Sequence, residues 1–374
     1  MSNLTEYKEI RAFHPGYFVK QIIEDMGITQ EEFAQRLGTT GKNISELVNG
    51  RCLLSRELAM QLSNMTGMSL ETWMNLRMTY ERKMLEIEER KQMDEEQDIL
   101  KMLEYRFFVV NASLPVTKDK STMVRKLKEL LGIASLSALL NKELFVVYRM
   151  HEAENSEKNL VPAKAWLLLA QKIAMQTMDQ QRPPDIEKLK SYIPTIRSMT
   201  KRDVLEILPE LKRIFNDCAI ALVCLPAIKN SKVCGCVKWL KSGKSVFLAI
   251  SDRTKSQDVF WLTLMHEIWH LLQRDYSRAF VSFEDTSDIS DVEKEADDFA
   301  RNTLVDRKIF QKLVRRGKYN DEDIISAALE ADVDKGIIAG RLAKEQLVRF
   351  SRIAHLRRQF SFATKDDEAQ APQQ

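Results

Sequence analysis

The apolar positions along the chain keep two different periods. Up to about residue 217 they recur at the three-to-four-residue spacing of helices with one buried face, and between 220 and 250 they fall in short β-rich runs. A first helix is expected over residues 17–26, with Phe18, Ile22 and Ile23 inward and Gly27 as its stop. Thr29 and Glu32 then have the spacing of a capping box ahead of a helix over 30–37, with Phe33, Ala34 and Leu37 inward. After Gly38, Thr40 caps a third helix over 41–48 that buries Ile44, Leu47 and Val48, and Asn49-Gly50 ends it. Further helices are predicted over 55–66 and from 69 onward, the latter with Trp73 and Leu76. Residues 80–105, rich in Glu, Lys, Arg and Met and free of Gly and Pro, predict a long charged helix. Its apolar residues hold no strict heptad, so it reads as a connector first and a dimer coil second.

Residues 106–217 read as mostly helical, with apolar-periodic stretches over 124–131, 136–140 and 162–175. A break at Arg182-Pro183-Pro184 separates these from helices over 186–199 and 202–215. The β-rich runs cover 220–225, 232–240 and 245–250, with a turn at Ser242-Gly243 between the last two. Helices return around 309–314, 321–331 and 335–355, and the polar tail from Thr364 reads as disordered. The fold class expected is mainly α with a small β-sheet (α+β). The expected organisation is an all-α helix-turn-helix domain over 1–80, a charged connector helix over 81–105, a helical middle region over 106–217, a sheet-and-helix domain over 218–360 and a disordered tail over 361–374.

Composition adds few constraints. At 374 residues with 30% charged and a net charge of +3, the chain holds a substantial core and no global field that announces a nucleic-acid partner. Through Met78 it carries eight Lys/Arg against nine Asp/Glu, so DNA affinity there is expected to depend on dimerisation and specific contacts. Five cysteines do not read as a disulfide framework, and Cys234-Gly235-Cys236, with no second Cys or His pair beside it, reads as strand packing. No run approaches a membrane span and MSNLTEYKEI lacks an apolar signal core, so a reduced, cytoplasmic protein without a membrane partner is expected.

The two short helices joined by Gly38-Thr39-Thr40 form a helix-turn-helix signature whose second member is the recognition helix. Its polar side offers Lys42, Asn43, Ser45, Glu46 and Asn49, with Lys42 and Asn43 best placed to reach base edges of double-stranded operator DNA. Gln30, Thr39 and Thr40 are expected on phosphates. The residues His14-Pro15-Gly16, Thr29-Gln-Glu-Glu-Phe-Ala34, Ile44-Ser-Glu-Leu-Val-Asn-Gly50, Leu54, Ala59 and Trp73-Met-Asn-Leu76 resemble the HigA group of Xre-type helix-turn-helix proteins.

The most specific chemistry lies in Leu264-Met265-His266-Glu267-Ile268-Trp269-His270-Leu271-Leu272. On a helix His266 and His270, at i and i+4, close on one cation, with Glu267 at the edge of that face to hold a water. Two imidazoles and a carboxylate that leave one position open point to catalytic Zn²⁺. Downstream, Glu293 and Asp297 are again i and i+4 on a predicted helix. Glu293 completes the ligand set and Asp297 accepts the N–H of a ligating histidine. Histidines paired with acids also occur in ordinary buried helices, but two of the chain's five histidines sit in this one motif. With Glu293-x-x-Ala-Asp-x-Phe-Ala300 and Gly336-Ile-Ile-Ala-Gly340-Arg341-Leu342, the motif resembles the ImmA/IrrE family of metallopeptidases, in which Glu293 rather than Glu295 matches the third ligand. Leu304-Val305-Asp306 departs from that family's usual Leu-Met-Pro or Leu-Ile-Pro.

The resemblance implies a zinc endopeptidase, with Glu267 as general base and later acid, cutting an Xre-type repressor or the chain itself. Tyr276 is a candidate for stabilising the oxyanion. The alternative is a HigA-type antitoxin and transcriptional repressor that binds operator and a toxin, its metallo-domain a non-catalytic sensor or scaffold. A homodimer is expected under either reading.

Overall fold

A computed structural model of the chain describes residues 3–141, 157–179, 181–240, 243–276, 279–283 and 291–362. Ser242 of the expected turn and the tail from Thr364 lie outside these residues. The chain divides into two compact units, Met1–Glu95 and Glu96–Gln374.

The first unit opens on an antiparallel hairpin, β1 (Leu4–Tyr7) and β2 (Ile10–Phe13), with Leu4 opposite Phe13. No sequence signal predicts it, because four-residue strands are too short to display an alternation. Then come α1 (Pro15–Asp25), α2 (Gln30–Leu37), α3 (Gly41–Val48), α4 (Arg56–Thr66) and α5 (Leu70–Met102). α1 starts earlier than its apolar pattern predicts. His14 caps it by accepting from the Gly16 N–H, and Pro15 supplies the backbone angle a first turn needs. The side chains of Thr29, Thr40 and Ser55 accept from the N–H groups of Glu32, Asn43 and Leu58, and Gly38 stops α2 in the left-handed conformation (φ +79°). One apolar core closes this unit, with Val19, Phe33, Ala34, Ile44, Leu47, Leu54, Leu62 and Trp73 fully or almost fully buried. α5 is a single helix of 33 residues. It fuses the helix predicted from residue 69 with the charged connector, since nothing between them stops a helix.

In the second unit α6 (Tyr105–Ala112) and α7 (Lys120–Leu131) are followed by a short 3₁₀ turn, Leu136–Leu139. The buried carboxylate of Glu96 accepts from the Lys128 ammonium and the Leu136 N–H. Next are α8 (Glu157–Thr177), α9 (Ile186–Ser198) and α10 (Val204–Asp217). The sheet consists of β3 (Ala221–Cys224), β4 (Val233–Leu240), β5 (Ser245–Ile250) and β6 (Ala279–Phe283) in the order β3-β5-β4-β6. β3 runs parallel to β5, and β4 is antiparallel to both β5 and β6. β6, five residues long, is the strand the sequence pattern does not reveal.

The sheet is covered on both faces, which is why its strands are buried at nearly every position. Leu222, Val237, Trp239, Val246, Leu248 and Ile250 face a core shared with α9, α10 and the later helices. On β4 the alternate residue Lys238 projects the opposite way and donates to Gln171 on α8, while Trp166 of α8 donates to the Pro226 carbonyl. The helices of the expected middle region are thus parts of the layer packing: α8 backs the sheet, and α9 and α10 enter the main core. That core starts at Ile186, upstream of the expected boundary at 218.

The remaining helices are α11 (Gln257–Gln273), α12 (Asp291–Leu304), α13 (Arg307–Arg316), α14 (Asp321–Ala331), α15 (Lys335–Lys344) and α16 (Phe350–Ile353). α11 lies in the main core, with Phe260, Trp261, Leu264, Met265, Ile268 and Leu271 buried. Its N-terminus is tied to the end of the described chain. The Gln257 N–H donates to the Arg358 carbonyl, and Asp258 forms a buried ion pair with Arg357 at 2.9 Å. Gly340 permits α15 to approach this pair, since a Cβ there would lie 2.1 Å from Asp258 Oδ2. Among the described residues no helix is long and apolar enough to cross a membrane.

The Asp258 carboxylate cannot give way without leaving Arg357 as an unpaired buried charge. Gly340→Ala is therefore expected to destabilise the second unit by about 1–3 kcal/mol, the usual cost of overpacking a close contact. Chemical denaturation followed by tryptophan fluorescence checks it, and an unchanged midpoint would contradict this account of the α11–α15 contact.

Candidate metal centre and DNA-binding helices

His266 and His270 stand one turn apart on α11 with their Nε2 atoms 3.1 Å from each other. Glu293, in the first turn of α12, places Oε2 3.0 Å from His266 Nε2 and Oε1 3.5 Å from His270 Nε2. A tetrahedron of zinc bonds about 2.0–2.1 Å long has edges of about 3.3–3.4 Å, close to these separations. Two ring nitrogens also repel at such a distance unless a proton or a cation lies between them. The donor set and its spacing therefore fit a zinc-type cation held by His266, His270 and Glu293. Among the described residues this is the only such cluster of three potential ligands.

Asp297, one turn after Glu293, brings Oδ1 to 2.9 Å from His266 Nδ1. Glu295 on the same helix is exposed. Two arginines hold the far end of α12, where the last carbonyls lack helix partners. Arg341 donates to the carbonyls of Arg301 and Val305, and Arg197 to that of Leu304. Where the resembled family has proline, Asp306 instead caps α13 by accepting from the Lys308 N–H. The arginine of the Gly336–Leu342 pattern thus positions the helix that carries Glu293.

The electrostatics follow from burial and pairing. Burial pulls the His266 imidazole down, but its N–H hydrogen bonds to the Asp297 and Glu293 carboxylates outweigh it and raise the ring to about 10. His270, fully enclosed, is lowered by burial. Burial raises Glu293 and Asp297, yet their histidine partners hold both below the usual carboxylate range. Glu267 has no exposed surface, and burial pushes its carboxyl up to about 7. Its Oε1 accepts from Ser282 Oγ at 2.6 Å, while its Oε2 is buried with no hydrogen-bond partner. The His270 ring stacks on Phe280 at 4.1 Å between centroids.

Ser282 and Phe280 on β6 and Gly235 on β4 are the neighbours that sequence reasoning missed. A glycine inside a strand pattern was the one available signal, since it marks a close approach by another group. Tyr276 is not brought to the site. It packs edge-on against Trp239 and over Gly243, and Trp239 lies four residues, about 13 Å, along β4 from Gly235. Cys234 and Cys236 are buried strand residues, and burial drives the Cys236 thiol well above its usual range.

In the first unit, Gly41 begins the recognition helix against the Glu31 carboxylate, where an added Cβ would lie 1.9 Å from Oε2. Gln30, Thr40, Lys42, Asn43 and Asn49 are exposed, while Thr39, Ser45 and Glu46 are half-buried. Asn43 Nδ2 donates to Thr39 Oγ1 at 3.1 Å, and the residue remains exposed. Lys42 pairs loosely with Glu46 at 3.9 Å, and the Asn49 amide turns back onto the Ser45 carbonyl at the end of the helix. Lys42 and Asn43 therefore remain the outward residues at the helix N-terminus, and Asn49 acts locally as a C-cap.

Comparison with known proteins agrees with this part of the chain. Residues 19–73 match the family model described as Helix-turn-helix. YddM, an uncharacterized HTH-type transcriptional regulator of Escherichia coli (strain K12), is 29% identical over 62 residues, which are 17% of this chain and 66% of that protein. Virulence-associated protein A' of Dichelobacter nodosus is 33% identical over 69 residues, 18% of this chain and 60% of that protein. The chain thus spans less than two thirds of the length of each. A crystal structure of a candidate antidote protein of a plasmid maintenance system from Nostoc punctiforme aligns at 24% identity with a TM-score of 0.22, over 22% of this chain and 92% of that one. Residues 19–73 of the N-terminal unit thus form a helix-turn-helix domain similar to that family model.

Proposed function

We propose that this protein is a transcriptional regulator whose second unit is a zinc-dependent endopeptidase acting on a helix-turn-helix repressor or on the chain itself. The observation that carries the reading is the convergence of His266, His270 and Glu293 beside a carboxylate, Glu267, that ligates nothing in that set. A zinc ion held by the three ligands would supply Lewis-acid polarisation of a peptide carbonyl and of water. Asp297 accepts from His266 Nδ1–H, an arrangement that would leave Nε2 to give its lone pair to the cation once the Nε2 proton is displaced. Glu267, near neutrality through burial, takes a proton from the attacking water and delivers it to the leaving amine. β6 is an edge of the sheet among the described strands. Its open side offers main-chain hydrogen bonds to an extended peptide. The first unit would dock α3 in the major groove of operator DNA, as a homodimer.

One observation favours a second reading, in which the protein is an antitoxin-like repressor that also binds a toxin and uses the metal site only as a scaffold. Glu267 and His270 have no exposed surface, so a peptide reaches them only after the site opens.

Metal analysis separates the ligands. The purified chain is expected to hold about one Zn²⁺, His266→Ala and Glu293→Gln to lose it, and Glu295→Gln to keep it. Loss on Glu295→Gln alone would reassign the third ligand. Glu267→Gln is expected to keep zinc, fold and DNA binding but to lower cleavage of a co-expressed repressor by more than ~10²–10⁴, since one residue serves as both base and acid. Equal substrate levels and equal reporter output in wild type, Glu267→Gln and His266→Ala under inducing conditions would leave the scaffold reading. For DNA, Asn43→Ala is expected to cost ~1–3 kcal/mol at one operator position, whereas Thr40→Ala weakens binding evenly. Mobility shifts on single-base operator variants check this, and a flat response to Asn43→Ala would place the base reader elsewhere.

A further inference from the structure

Glu267 sits in a socket formed by two strands. Gly235 and Ser282 are direct partners across β4 and β6, so both face the same side of the sheet. Gly235 leaves its position bare, and the Glu267 side chain occupies the space. A Cβ at Gly235 would lie 2.4 Å from Oε1 and 2.9 Å from both Cδ and Cγ. The partner residue contributes a hydroxyl, and Ser282 Oγ donates to the same Oε1 at 2.6 Å. The two carboxylate oxygens are therefore unequal: Oε1 is engaged by Ser282, and Oε2 is buried without a hydrogen-bond partner. For stability alone this is a poor arrangement, because a buried carboxylate with one unsatisfied oxygen costs more than an apolar side chain of the same volume. It makes sense where Oε2 has to be kept for a reacting proton.

We propose that Ser282 is the positioning residue for Glu267, holding Oε1 across the gap left by Gly235 and so directing Oε2 at the reacting centre. Its catalytic consequence rests on the peptidase reading above, whereas the Ser282–Glu267 contact does not. A glutamate side chain has three rotatable bonds, and a free one would spend only a fraction of its time in the working orientation. The gap at Gly235 gives the carboxylate room in this one place, and the hydrogen bond from Ser282 holds it there.

The test uses the full chain as wild type, Ser282→Ala, Ser282→Thr and Glu267→Gln. Glutamate is labelled with ¹³C at Cδ, and the Glu267 resonance is identified by its loss in Glu267→Gln. Zinc content and steady-state cleavage of a repressor substrate are measured on the same samples. Ser282→Ala is expected to displace the Glu267 resonance, keep about one zinc, and lower kcat roughly 10- to 100-fold at unchanged KM, the range of one hydrogen bond to a charged group. Ser282→Thr, which keeps the hydroxyl and suits a strand, is expected to restore both resonance and kcat. An unmoved resonance, a loss confined to KM, or no rescue by threonine would overturn the proposal. Should Ser282→Ala not fold, Ser282→Cys keeps the volume with a weak donor and must show the same kcat loss; full kcat in that variant overturns the proposal. If wild type and Glu267→Gln are equally inert toward every substrate, the peptidase reading falls. The resonance then decides alone whether Ser282 positions Glu267.

Discussion

The second unit depends on one constraint: two imidazoles and the Glu267 carboxylate must be taken out of water, with Glu293 and Asp297 half-buried beside them. Each alone would be costly to bury. Glu293 and Asp297 compensate His266 through its two ring nitrogens, and His270 shares the Glu293 carboxylate. This makes α11 and α12 a matched pair, since displacing either leaves uncompensated charge inside an apolar core. The surrounding features follow from holding that pair in place. Asp258 and Arg357 anchor one end of α11, and Arg341 and Arg197 hold the carbonyl end of α12.

The sheet contributes in a different way. Its strands are buried on both faces, so β4 serves as a rigid wall, and the place where Glu267 meets it is a glycine. β6 adds Phe280 beneath the His270 ring and Ser282 against Glu267, two residues apart and therefore on one face. A five-residue strand thus supplies both the packing partner of a histidine and the hydrogen-bond donor to the glutamate.

The first unit relies on local chemistry instead. Hydroxyl caps at Thr29, Thr40 and Ser55 start three of its helices, and Gly38 and Gly67 stop two of these, so the helix-turn-helix is assembled from short-range signals and closed by one small core. Its near balance of acid and base offers little non-specific attraction to a polyanion.

How much of this was legible beforehand depends on the range of the interaction involved. The bounds of α2 and α3 could be read residue by residue, because caps and stops act within a turn or two. The pairings His266 with His270 and Glu293 with Asp297 could be read as helix faces, because i and i+4 is a property of the helix itself. The fusion of the connector into α5 was less legible, since the absence of a stop is a weaker signal than its presence. What tertiary structure alone decided is the meeting of elements: Ser282 opposite Gly235, Phe280 under His270, and Arg341 and Arg197 on the carbonyls that end α12. Strand register and helix docking are set by which surfaces pack together over long stretches of chain. A pattern read along one segment holds no record of the partner it will face.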